Sequence, residues 1–161
     1  MQTKEAIAEQ WLARVLRTYP TQTAHFLAEE KDPFRNPIGA TIRQALGILV
    51  EEVLLAMDHD KVTAALDSIM QIRAVQDFTP ARALEFLFQL KGILRDQQPG
   101  PVLELLDGRI DEMALLGFEL YVKYRERTFT ARMNETRRRV FVLERVMRPG
   151  ESTPWEVRSE K

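Results

Sequence analysis

The side chains able to do chemistry in this chain are few, and their spacing argues against a catalytic centre. There are two histidines, His25 and His59, and no cysteine. Without cysteine there is no disulfide, thiolate zinc site, iron–sulfur cluster or thiol nucleophile. Neither histidine is set in the pattern of a metal-binding helix face, where two imidazoles four residues apart converge on one ion. His25 adjoins Phe26 and Leu27 and could line a buried pocket; His59 lies between Asp58 and Asp60, where solvation is the plain reading. Carboxylates occur side by side as Glu29-Glu30, Glu51-Glu52 and Asp111-Glu112. Adjacent residues on a helix point about 100° apart, so each pair reads as a solvated face rather than two groups converging on a substrate. No phosphate loop, nucleophile elbow or kinase signature is present. The chain reads as non-enzymatic, with no catalytic residue, no cofactor and no metal.

Arginine offers a second chemistry. Eight arginines lie between Arg125 and Arg148, among them Arg137 and Arg138. Residues 123–148 carry nine basic and three acidic side chains, a net of +6, while residues 1–122 carry a net of −6. Such segregation marks a surface with its own partner. Phosphate neutralisation is one use of it, but the isoelectric point is about 6.2 and no nucleic-acid-binding motif accompanies the stripe. An acidic protein partner, or a pairing helix with glutamates at flanking positions, fits better, and nucleic acid is a lesser alternative. A further concentration of charge, amide and aromatic groups runs from Arg73 to Pro80. There Asp77 would pair with Arg73 one turn back, and Phe78 would fasten the loop to the core.

The elements that must position these residues are helices. Apolar side chains recur at helical spacing, and proline and glycine fall between the runs. The spacing predicts helices over about residues 3–18, 21–30, 37–57, 60–76 and 80–97. In the second, Ala24, Phe26 and Leu27 would face inward. Asn36-Pro37 and Thr79-Pro80 are cap-then-proline starts, and Asp58 or Asp60 caps the fourth helix. The fifth is apolar nearly all round and should be enclosed. After Pro99-Gly100-Pro101 no proline interrupts the chain until Pro149, so residues 102–148 can form one helix. At 1.5 Å per residue it would span roughly 70 Å, more than a domain of this size is wide. Leu103, Leu106, Ile110, Met113, Leu116 and Leu120 look like its core face. Phe118, Val122, Arg125, Phe129, Met133, Thr136, Val140, Leu143 and Met147 step by threes and fours, a coiled-coil-like seam. Residues 149–161 read as a short polar tail. The expected fold is all-α, a single bundle of five to six helices over residues 1–148. The N-terminus lacks the apolar core of a signal peptide, and no apolar run is long enough to span a membrane, so a cytoplasmic location is expected.

Two stretches resemble a known family. Asp32-Pro33-Phe34-Arg35-Asn36-Pro37-Ile38-Gly39-Ala40-Thr41-Ile42-Arg43 is similar to one motif of the RsbRD-type N-terminal domain, and Ile72-Arg73-Ala74-Val75-Gln76-Asp77-Phe78-Thr79-Pro80 to a second. The likeness covers about residues 5–147. It implies a sensory, regulatory domain of the kind found ahead of stress-regulator output modules. It also implies a helical, globin-like dimer without haem, whose last helix leads to the output. Asn36, Gly39, Thr41, Arg73, Gln76 and Asp77 are then the family-specific site. The last helix, through Phe118, Val122, Phe129, Met133, Val140 and Leu143, is the homodimer or partner surface. No output module follows that helix, which leaves output to a separate regulatory protein or to sequence beyond this chain. A small-molecule or haem-binding domain is the alternative.

Overall fold

A computed structural model of the protein describes residues 3–76, 78–96 and 100–147. Six helices follow one another: α1 (Lys4–Leu16), α2 (Thr21–Glu29), α3 (Pro37–Leu54), α4 (His59–Val75), α5 (Pro80–Arg95) and α6 (Pro101–Met147). No strand occurs among the described residues. Residues up to Glu126 form one compact unit, and those from Arg127 onward a second.

Local chemistry sets the starts. Thr3 Oγ1 accepts from the Ala6 amide, Asp58 Oδ1 from those of Asp60 and Lys61, and Thr79 Oγ1 from that of Arg82. Each satisfies amides that a helix leaves unpaired at its N-terminus. Proline fills the first position of α3 and α5, where its missing N–H costs nothing.

In the first unit α1 and α4 pack against α3, α1 also meets α2 and α5, and α4 meets α5. Trp11 lies at the α1–α5 contact, fully buried. Its indole stacks on Phe86 at 5.6 Å between centroids, and its N–H donates to the Phe86 carbonyl at 2.7 Å. The first half of α6 closes the bundle. Leu106, Ile110, Met113, Gly117 and Tyr121 are its buried stripe. Gly117 stands where a methyl group would meet Leu84 at 3.0 Å and Met70 and Leu87 at 3.5 Å. The helix thus approaches α4 and α5 closely. Leu116 and Leu120 pack half-buried against the core, as their spacing predicts, and Gly117 and Tyr121 are buried beside them. Arg109 reaches from α6 to the carbonyls of Val53 and Leu55, which the end of α3 leaves without amide donors. α6 runs unbroken through Gly108 and Gly117.

Three expectations need correction. Phe26 is exposed on the short α2, which buries Leu27 alone. Phe88 is exposed too, so α5 is not enclosed on every side. Glu52 is buried rather than solvated, because it closes the turn between α3 and α4. Its backbone carbonyl accepts from the Met57 amide at 2.9 Å, and its carboxylate from the Asp58 amide at 3.0 Å and Lys61 Nζ at 3.2 Å. Met57 takes a left-handed conformation there, φ 56°.

Candidate functional site

The first family-like motif builds a joint. Asn36 is 1 % exposed. Its Oδ1 accepts from the Gly39 amide at 2.8 Å, and its Nδ2 donates to the Glu30 and Leu27 carbonyls at 2.8 and 3.2 Å. One carboxamide therefore caps α3 and holds the end of α2. Gly39 makes this possible: a Cβ there would lie 2.2 Å from Asn36 Nδ2. Thr41, half-buried one turn on, lines a groove between α3 and α4 with Ala45, Ala64, Ala65 and Ser68.

The second motif builds a buried cation. Arg73, at 0 % exposure, is the largest polar side chain in the core. Its Nη1 donates to the carbonyls of Arg82 at 2.9 Å and Ala83 at 3.4 Å, and its Nη2 meets Thr18 Oγ1 at 3.4 Å. The guanidinium carbon lies 4.8 Å from the ring centres of Phe78 and Phe86 and 5.9 Å from that of Tyr19. Among the described residues no carboxylate lies within ion-pair distance of Arg73, and Nε has no partner. Burial lowers the guanidinium below its ordinary pKa, partly offset by Tyr19 and Glu85, and raises the Tyr19 hydroxyl. That hydroxyl is buried with no hydrogen-bond partner among the described residues. Asp77, expected to pair with Arg73, lies outside the described residues. Gln76 ends α4 and is exposed.

Sequence reasoning missed the partners around this cation. Tyr121 of α6 donates its hydroxyl to the Phe78 carbonyl, and Arg125 donates to the Ala74 carbonyl at 3.3 Å. The ends of α1 and α4, the start of α5 and the α6 turn at Tyr121–Arg125 therefore meet around one guanidinium. A signal for Tyr121 was present: it stands four residues past Gly117, on the stripe that Ile110 and Met113 begin.

The other expected residues divide between the two units. Phe118 is exposed and Val122 half-buried in the first. In the second, Phe129, Met133, Val140 and Leu143 are 66, 39, 49 and 58 % exposed. Arg137 and Arg138 are exposed, and Arg139 pairs with Glu135. Apolar exposure is wider than one seam, since Phe141, Val142, Val146 and Met147 are open as well.

Both histidines are at the surface, which corrects the pocket reading of His25. Glu29, four residues on, pairs with His25 at 3.0 Å, and His59 faces Glu112 at 3.5 Å. No group of three or more metal-ligating side chains occurs among the described residues, and no described helix is long and apolar enough to cross a membrane.

Residues 5–136 match the family described as the RsbT co-antagonist protein rsbRD N-terminal domain. No curated protein matches the chain, and no solved structure does.

Proposed function

Because the chain belongs to the RsbT co-antagonist protein rsbRD N-terminal domain family, we propose that it is a non-catalytic, cytoplasmic sensory and regulatory domain that dimerises and signals through α6. Residues 1–148 act as one functional piece. The reading is supported foremost by the run of open apolar side chains at Phe129, Met133, Val140 and Leu143. An exposed apolar row on a helix, spaced by threes and fours, is a pairing surface. A second copy covers that row, and the arginines beside it receive an acidic regulatory protein. Asn36, Gly39, Thr41, Arg73, Gln76 and Asp77 serve as the site at which the bundle's state is set. The Arg73 hub carries a change to α6 by way of Phe78–Tyr121 and Ala74–Arg125. A signal acts by shifting the balance between two arrangements of these contacts.

Light scattering on the full chain at micromolar concentration tests the pairing. Twice the chain mass is expected, and a monomer at every accessible concentration removes the dimer from the reading.

A further inference from the structure

A groove of about 550 Å³ lies between the end of α1 and the first half of α5, lined by Arg14, Arg17, Thr18, Arg82, Glu85 and Gln89. Three guanidiniums share it with one carboxylate. None of the three is within ion-pair distance of an acidic side chain among the described residues. Arg14 is held over α5 by its hydrogen bond to the Gln89 carbonyl at 3.3 Å. Thr18, in the wall, takes a hydrogen bond from the buried Arg73, so a fourth cation stands directly behind the groove. The Gln89 side-chain oxygen is buried and accepts no hydrogen bond from the described residues.

We propose that this groove binds a small, free phosphate monoester. The lining carries a net charge of +2, the complement of a phosphate monoester, which is close to a dianion at neutral pH. Guanidinium forks match phosphate oxygens in pairs. The volume falls in the range of small-molecule sites and exceeds what bare phosphate fills. It leaves room for an organic body beside the phosphate. Thr18 and Arg82 both line the groove and both accept a hydrogen bond from Arg73, which connects the groove to the hub. In that respect the proposal rests on the regulatory reading and gives the sensor its ligand, but binding itself is measurable without any partner.

The test is calorimetric titration of the full chain with glycerol 3-phosphate, with inorganic phosphate, and with sodium chloride at matched ionic strength. Saturable binding of the ester, tighter than that of inorganic phosphate, is expected. The exposed pair of substitutions Arg17→Gln and Arg82→Gln should weaken it roughly tenfold or more, with the thermal melt unchanged. Heats equal to those of the chloride control overturn the proposal, as does undiminished affinity in the variant. Inorganic phosphate binding as well as the ester overturns the assignment to a monoester. Sedimentation with phosphatidylglycerol vesicles, abolished by the same substitutions, would assign the groove to a lipid surface and overturn the free ligand. Light scattering on the same samples reports the oligomer independently, so failure of one reading is told apart from failure of the other.

Discussion

Gly39 and Arg73 carry the two family-like motifs in opposite ways. Gly39 acts through what it lacks. Gly39→Ala forces Asn36 out of its place, and the α3 cap and the bonds to Leu27 and Glu30 go with it. A loss of about 2–3 kcal/mol is expected in urea unfolding; a loss below about 0.5 kcal/mol would show that Asn36 does not organise the joint. Arg73 acts through a charge that burial disfavours. The carbonyls it contacts belong to α5, where helical amides already serve them, and its solvation is only partly replaced by aromatic rings. Arg73→Met, which keeps the volume and removes the charge, should change stability by no more than about 1 kcal/mol. Arg73→Ala, which leaves a cavity, should cost about 2–4 kcal/mol. If Met destabilises as much as Ala, the charge holds the bundle together, and its retention needs no regulatory explanation.

Between elements, the α3–α4 turn joins helices through one carboxylate. The Asp58 amide foremost, then Lys61, lowers the Glu52 pKa in the folded chain, although burial works against them. A carboxyl held below its ordinary value stabilises the fold at pH above the ordinary carboxylate range, and that contribution is lost as pH falls through the folded value. Glu52→Gln should therefore lower the melting temperature at neutral pH and flatten its fall below about pH 4.5; parallel acid limbs for both proteins would exclude Glu52 from that linkage. Helix boundaries were readable because a cap is a contact among near neighbours: Asn36-Pro37, Asp58 and Thr79-Pro80 announce their helices within four residues. Glu52 was not, since it stands beside the exposed Glu51 and only the path of the turn separates the two. The surroundings of Arg73 were hidden for a related reason. Thr18 lies 55 positions away, and no periodicity links a threonine at the end of one helix to an arginine near the end of another. The core face of α6 was readable from Leu103 to Leu120; what periodicity of apolar residues could not show was that Gly117, with no side chain to count, is buried at the closest approach.

Along the whole chain, net charge is segregated. The acidic stretch holds the packed bundle, and the basic stretch holds the open row on α6. Val140→Glu with Leu143→Glu places charge in that row while leaving residues up to Glu126 untouched. Burial of each side chain is worth about 1.5–3 kcal/mol, so dimerisation should weaken by at least about a hundredfold, with the bundle melt in place. A dimer that survives both changes uses another surface. The stacking of Trp11 on Phe86 has an optical consequence. Phe86 offers its ring both to the indole and to the Arg73 guanidinium, and the indole is fully screened from water. With Trp155 replaced by phenylalanine, a single tryptophan sits one ring away from the hub, and a red shift of its emission would report any opening of the α1–α5 contact with no dye attached.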